Sequence, residues 1–168
     1  HIPEYIVPSE NIAAVLIEPG LAEGGNWIPS GNFIKGIRKI CNKHGWLMIA
    51  DEVLTGLGRT AEMWGMDHYE VIPDMLIVGK NLSGGIAPCA GVATRDEILG
   101  NNPSASSGST FAGTPAGCAA GLKTLEIYKR DKVIDHAKKL AQIAKLRMEP
   151  WCEKYSIVSE TRQLGLLM

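Results

Sequence analysis

Two ionisable residues stand at the ends of short apolar runs. Asp51 follows the run 46–50, and Lys80 comes just after the run 75–78. Apolar runs that end in a polar residue and then glycine indicate buried strands of an open α/β sheet, which binds ligands at the carboxyl ends of its strands. We therefore expect Asp51 and Lys80 to face one crevice. The alternative is that Lys80 is a solvated lysine after a strand and Asp51 a helix N-cap.

The chemistry open to this pair follows from the two side chains. A lysine amine can form an imine with an aldehyde once desolvation or a neighbouring charge lowers its pKa. A carboxylate beside the ring nitrogen of a pyridine keeps that nitrogen protonated and makes the ring an electron sink.

A longer motif surrounds the two residues. It consists of Asp51-Glu52-Val53, the turn Thr55-Gly56-x-Gly58-Arg59-Thr60, the pair Pro73-Asp74, and Lys80 followed by Gly84-Gly85. This motif resembles that of class III (omega-amino acid type) aminotransferases, which use pyridoxal 5′-phosphate, PLP. The resemblance implies that Lys80 binds PLP and acts as general acid/base, and that Asp51 holds the ring nitrogen. It also implies that Val53 underlies the ring, on the face of Asp51 if the backbone stays extended.

Two further loops resemble segments of the same family. Glu18-Pro19 with Glu23-Gly24-Gly25 resembles its E-P-x-x-x-E-G-G loop, which implies that Glu18 lies near the cofactor. Glu23 would be a gate that pairs with a distant arginine and releases it when a dicarboxylate enters. Residues 108–115 resemble the family's G-T-F-G-G-N-P segment, which implies that Ser109 and Thr110 bind the PLP phosphate of the neighbouring subunit. The alternatives are solvated loop acids and a turn of small residues.

One position departs from the family pattern. Leu54 stands where many members have a glutamine that donates to the cofactor's 3′ oxygen, and leucine cannot donate a hydrogen bond. The expected consequence is altered tuning of the cofactor and a different subfamily, with the chemistry retained.

The order of elements predicts an α/β fold. A buried strand at 13–17 is followed by a helix that Ser30 begins and Gly45 ends, and a right-handed connection then leads to the strand before Asp51. The strand at 90–94 follows Lys80 too closely for a crossover helix, so it should be antiparallel. The expected fold is a PLP fold type I-like large domain: a mostly parallel sheet with one antiparallel strand and helices on both faces.

The second half of the chain is predicted to be mainly helical. Residues 94–97 resemble a capping box, and Pro115 should begin a helix with a buried stripe at Leu122, Leu125, Ile127 and Tyr128. A long helix follows, which Pro150 kinks or ends. We expect residues 1–130 to be the C-terminal half of the large domain and 131–155 an interdomain helix. Residues 156–168 should begin the small C-terminal domain with a strand over 157–168.

Composition excludes several classes of partner. The 168 residues carry 17 basic and 18 acidic side chains without blocks of like charge, so neither nucleic acid nor a membrane surface is an expected partner. The four cysteines are scattered and predict thiols in a reducing cytoplasm, with no metal site. No apolar run approaches the ~20 residues that span a bilayer. The chain lacks an initiator methionine and stops inside an apolar run, 164–168, so we expect a fragment of a longer enzyme.

The expected reaction is amino transfer from an omega-amino acid or amine, such as 4-aminobutyrate, to a 2-oxo acid. The resemblance implies a homodimer with shared active sites. Two alternatives stay open: a PLP-dependent decarboxylase or aminomutase of the same family, and a truncated fragment without activity.

Overall fold

Four strands form one mixed sheet in the order β1-β2-β3-β4 in the computed structural model, which describes residues 8–100 and 113–168. The strands are β1 Ala14–Ile17, β2 Leu47–Asp51, β3 Met75–Val78 and β4 Gly91–Thr94. The β1–β2 and β2–β3 pairs are parallel, and β3–β4 is antiparallel. The α/β fold with a mostly parallel sheet and one antiparallel strand is thus confirmed. Ser109 and Thr110 lie outside the described residues.

Helix α1, Gly31–His44, connects β1 to β2 and covers one side of the sheet. The Ser30 hydroxyl accepts a hydrogen bond from the Phe33 amide, and Gly45 ends the helix in the left-handed conformation with φ 73°. Ile34 and Cys41 are fully buried and belong to a core cluster that also contains Met48 of β2. Each large side chain buried in this way contributes about 1.5–3 kcal/mol relative to exposure. The amphipathic crossover helix therefore anchors β2, the strand that ends at Asp51.

Asp74, just before β3 begins, joins strand β2, helix α1 and the end of strand β4. One of its oxygens accepts hydrogen bonds from the Met48 amide at 2.8 Å and from the Arg38 guanidinium at 2.7 Å. The other oxygen accepts from Arg95 at 3.0 Å, and the Asp74 carbonyl accepts from the Thr94 hydroxyl. The expected capping box is wrong for this reason: Thr94 bonds across the sheet, and Arg95 is the N-cap of α2, Asp96–Leu99.

Three helices follow in the second described part, α3 Pro115–Arg130, α4 Val133–Met148 and α5 Trp151–Lys154. Pro115 is the first helical residue of α3, as predicted, and Thr114 is its N-cap. The predicted stripe of α3 is wrong at Leu122 and Leu125, which are 66% and 39% exposed. Ile127 and Tyr128 are half-buried, and the buried positions are Gly117, Gly121 and Thr124. Small residues face inward because this side of α3 packs against the turn after β3. No helix in the two described parts is long and apolar enough to cross a membrane.

The last residues form turns where a strand was predicted. Gly165 has a φ of 63°, and the Leu164 amide donates to the Leu167 carbonyl, so the backbone reverses instead of extending. Gln163 donates to the Ala141 carbonyl of α4, and the Leu166 amide donates to the Arg59 carbonyl. A β-carbon on Gly165 would lie 2.0 Å from the Thr60 carbonyl carbon. The segment is held by contacts with α4 and with the turn that contains Arg59.

Replacing Asp74 should destabilise the fold in a pH-dependent way. Burial acts to raise the pKa of Asp74, but the Met48 amide and Arg38 outweigh it and hold that pKa below its usual value. The carboxylate therefore stabilises the fold above the unfolded pKa of about 3.9, and this contribution is lost as the pH falls through the lower folded pKa. We expect Asp74→Asn to lower the free energy of unfolding by about 1–3 kcal/mol at neutral pH.

Urea unfolding at pH 7 and in acid provides the measurement. The difference between wild type and Asp74→Asn should shrink on acidification. Asp131→Asn is the control, because Asp131 pairs only with its exposed neighbour Arg130 among the described contacts. An equal effect of both substitutions at pH 7 would contradict the assignment.

Candidate active site

Asp51 is the last residue of β2, and the chain turns immediately after it. Its carboxylate accepts a hydrogen bond from the Val53 amide at 3.0 Å, which closes a tight turn. The sequence predicts that Val53 continues the extended strand. The structure differs, because this hydrogen bond turns the chain at Asp51. Its two methyl groups lie 3.6 and 3.7 Å from the position that a β-carbon on Gly79 would occupy. Val53 thus lies beneath the backbone that leads into Lys80.

Lys80 lies at the end of the neighbouring parallel strand. Asp51 is paired with Ile77 in the β2–β3 register, and Lys80 comes three residues later as the first residue of a 3₁₀ helix, Lys80–Ser83. Its φ of 42° is in the left-handed region, which a residue with a β-carbon occupies at a cost of about 1–3 kcal/mol. The side chain is exposed. The fold holds this lysine in a strained conformation at the edge of the sheet.

The acid and the lysine lie at the same edge but line different hollows. Lys80, Val53 and Arg59 contribute to a lysine hollow of about 190 Å³. Asp51 and Glu18 contribute to an acid hollow of about 570 Å³ on the β1 side. The two residues thus share one edge of the sheet, and a single crevice between them stays a prediction.

Glu23 lies at the exposed tip of a short hairpin in which Leu21 and Trp27 pair. The hairpin is held from its far side: the Arg162 guanidinium lies 4.0 Å from the centre of the Trp27 ring and donates to the Gly25 carbonyl at 2.7 Å. The gate assigned from the resemblance is thus a solvent-facing acid on a braced loop.

Sequence reasoning missed the buried acid beside Asp51. Glu52 is 2% exposed, and both of its carboxylate oxygens accept hydrogen bonds. One accepts from the Thr55 hydroxyl at 2.5 Å and the Gly65 amide at 2.8 Å, and the other from the Met66 amide at 2.8 Å. Burial raises the pKa of Glu52, and these hydrogen bonds oppose that rise. The Asp-Glu pair at a strand end was the available signal, but the sequence does not say which acid is buried.

Close packing around Glu52 extends its effect to the Glu18 loop. A β-carbon on Gly65 would lie 2.7 Å from Pro19 and 3.1 Å from the Glu52 carboxylate, so only glycine fits there. The Tyr69 hydroxyl, at the end of the 3₁₀ helix Gly65–Tyr69, donates to the Pro19 carbonyl at 2.7 Å. The buried carboxylate therefore organises the loops on both sides of Asp51.

The residues at this edge suit a carbonyl-containing pyridine cofactor. Lys80 offers an exposed amine at the start of a 3₁₀ helix, and Asp51 offers a carboxylate at the adjacent strand end. An amine that forms an imine and a carboxylate that holds a protonated ring nitrogen are the two groups such a cofactor requires.

Comparison with known proteins identifies the family. The family model described as Aminotransferase class-III matches residues 4–168. A probable 4-aminobutyrate aminotransferase of Bacillus subtilis is 34% identical over 96% of this chain and 37% of its own length. The mitochondrial ornithine aminotransferase of Drosophila melanogaster is 38% identical over 98% of this chain and 38% of its own. The chain belongs to the class III aminotransferase family and spans less than two fifths of the length of these relatives.

A solved structure agrees with this assignment. The taurine:2-oxoglutarate aminotransferase of Bifidobacterium kashiwanohense, in complex with PLP and glutamate, superposes with a TM-score of 0.91 at 32% identity. The superposition covers 98% of this chain and 37% of that one. The fold is that of PLP-dependent aminotransferases of fold type I, and PLP is the cofactor of the family.

Replacing Glu52 should destabilise the site. Glutamine keeps the size of the side chain, but its NH2 group would face N–H or O–H groups that now donate hydrogen bonds to the carboxylate. We expect Glu52→Gln to lower the free energy of unfolding by about 1–3 kcal/mol, as for other buried hydrogen-bonded groups left unpaired. Urea unfolding measures this change. The matched control is Glu70→Gln, whose side chain is 83% exposed, and should change the stability by less than about 0.5 kcal/mol. A wild-type unfolding curve for Glu52→Gln would refute the role assigned to Glu52.

Proposed function

We propose that the protein transfers an amino group from an omega-amino acid or amine, such as 4-aminobutyrate, to a 2-oxo acid, with PLP bound to Lys80. The observation that carries this proposal is the pairing of β2 with β3, which brings Asp51 and the Lys80 turn to adjacent parallel strand ends. The names of the three relatives refer to 4-aminobutyrate, ornithine and taurine. Each of these compounds carries an amine on a carbon that bears no carboxylate. This shared feature supports an omega-amino donor here.

Each residue of the site would have a distinct task. When bound, PLP supplies an electron sink for the carbon that loses its proton. The Lys80 amine would hold the cofactor before reaction and then carry a proton at its Nζ atom to and from the substrate carbon. The Asp51 carboxylate would keep the ring nitrogen protonated. Val53 would support the ring from the Gly79 side, and Glu18 would lie near the cofactor on the acid-hollow side.

Substrate choice would depend on Glu23. An exposed acid on a braced hairpin can pair with an arginine when the donor has one carboxylate, and it can release that arginine to a dicarboxylate acceptor. Arg162 is a poor candidate for this partner, because it already contacts Gly25, Trp27 and Glu160. The gate arginine would therefore be a residue other than Arg162.

The proposal extends to assembly and location. Ser109 and Thr110, which lie outside the described residues, would bind the PLP phosphate of a two-fold partner, so the active protein would be a homodimer with shared sites. The balanced charge and scattered cysteines favour a cytoplasmic enzyme.

The assignment of Lys80 can be tested by chemical labelling. The full-length protein should bind PLP, and borohydride reduction followed by peptide mapping should place the pyridoxyl group on Lys80. Lys80→Ala should remove this label, whereas Lys35→Ala should retain it, because Lys35 lies on α1 and pairs with Glu70. Label on Lys35 or Lys43 in the wild type would overturn the assignment.

Asp51→Asn should slow proton abstraction by orders of magnitude while PLP remains at least partly bound, because an uncharged ring nitrogen is a poor electron sink. Steady-state rates measured with saturating donor report the loss. Asp135→Asn, on the exposed face of α4, serves as the matched control and should keep the wild-type rate. Near wild-type turnover of Asp51→Asn would mean that Asp51 does not hold the ring nitrogen.

A further inference from the structure

We propose that Tyr128 is a positioning residue for the reaction: through Asn81 and Leu57 it holds the Lys80 turn in register with the turn that follows Asp51. This inference rests on the proposed function, because it concerns how Lys80 is presented to PLP. Tyr128 lies near the end of α3, 48 positions beyond Lys80 (128 − 80), and neither the local motif nor the chemistry of its own side chain points to the site.

The Tyr128 hydroxyl makes one hydrogen bond to each of the two turns. It accepts from the side-chain amide of Asn81, the residue after Lys80, at 2.5 Å. It donates to the Leu57 carbonyl, in the turn after Asp51, at 2.9 Å. One oxygen atom therefore bridges the segments that carry the two assigned catalytic groups, and the same residues line the lysine hollow with Lys80.

Both turns at the ends of this bridge are conformationally strained. Lys80 and Leu57 have φ values of 42° and 52°, in the region that favours glycine. Residues with a β-carbon occupy this region stably only when the surroundings hold them there. Tyr128 donates a hydrogen bond directly to one of these residues, Leu57. It contacts the other, Lys80, only through the neighbouring residue Asn81.

Helix α3 provides a rigid base for the bridge. Its buried residues Gly117, Gly121 and Thr124 pack against the Lys80 turn and the loop that follows, and a β-carbon on Gly117 would lie 2.8 Å from the Pro88 carbonyl oxygen. The Tyr128 ring continues this face and lies beside Gly58. Burial raises the pKa of Tyr128, so its hydroxyl stays protonated and able to donate at neutral pH.

Removing the bridge should lower the rate of the chemical step and leave substrate binding nearly unchanged. Without it the Lys80 turn can move relative to Asp51, and displacements of about 1 Å at a reacting group can cost up to about 100-fold in rate. Because Lys80 moves the proton, the loss should fall on kcat. KM should change little, because Tyr128 is assigned no contact with substrate.

The experiment uses the full-length protein loaded with PLP. Tyr128→Phe removes both hydrogen bonds and keeps the ring, and Asn81→Ala removes only the bond on the Lys80 side. Tyr155→Phe is the matched control, because Tyr155 is 43% exposed and its ring contacts Lys154. The measurements are kcat and KM, the pH titration of the absorbance band of PLP bound to Lys80, and the thermal unfolding of each variant.

We expect Tyr128→Phe to lower kcat about tenfold, within the range known for small displacements, and to shift the midpoint of the absorbance titration away from that of Tyr155→Phe. Asn81→Ala should act in the same direction. The double variant should be no worse than Tyr128→Phe, because the two side chains act as one unit.

Two outcomes would overturn the inference, and they are distinguishable from failure of the proposed function. A lowered unfolding temperature with unchanged kcat and titration midpoint would make Tyr128 purely structural. Additive losses in the double variant would mean that Tyr128 and Asn81 act separately. If Tyr128→Phe does not fold, Asn81→Ala decides: a wild-type kcat and midpoint would refute the bridge. Absence of PLP from Lys80 in the wild type would instead refute the proposed function, and the inference with it.

Discussion

The buried carboxylate of Glu52 is the interaction on which the geometry of the site depends. An ion removed from water costs several kcal/mol unless hydrogen-bond donors surround it. The three donors come from Thr55, Gly65 and Met66, which lie up to 14 positions away in the chain. Satisfying this one charge therefore closes the loop 52–66 on itself. Asp51 precedes Glu52 directly, so the closed loop also determines where the strand ends.

The two strand ends are held by different physical means. On the Asp51 side, a buried charge gathers backbone amides around it. On the Lys80 side, the small residues of α3 allow a helix to pack closely against a turn whose first residue is in a strained conformation. Charge satisfaction and close packing are both intolerant of small shifts. Together they support the two strand ends that carry Asp51 and Lys80.

The residues after α5 brace two loops at the same edge of the sheet. Arg162 and the Met168 carbonyl hold the hairpin that carries Glu23, the latter by accepting from the Asn26 side chain at 2.5 Å. The Leu166 amide holds the turn that contains Arg59. These contacts come from both sides of the reversal at Gly165: Arg162 lies before it, and Leu166 and Met168 lie after it. The turn between Leu164 and Leu167 allows one short segment to contact both loops.

Local pattern was enough to predict much of the fold. The apolar runs before Asp51 and Lys80, the Ser30 and Gly45 boundaries of α1, the antiparallel β4 and the start of α3 at Pro115 depend on near neighbours in the chain, and the structure agrees with each. The motif around Asp51 and Lys80 was equally local, and it led to the family that the comparisons confirm.

The predictions that failed concern contacts between distant residues. Periodicity predicts an apolar stripe on α3. Glycine and threonine face inward instead, because α3 packs against the Lys80 turn, which is far away in the chain. The sequence placed Val53 on an extended strand because it could not show that Asp51 would accept the Val53 amide. It could not single out Glu52 or Tyr128, whose partners lie up to 14 and 71 positions away. By itself the sequence determined most of the elements and the chemical groups at the ends of β2 and β3. Only the tertiary structure decided which donors surround the Glu52 carboxylate and which two turns the Tyr128 hydroxyl contacts, because hydrogen bonds between distant residues form only after the chain has packed.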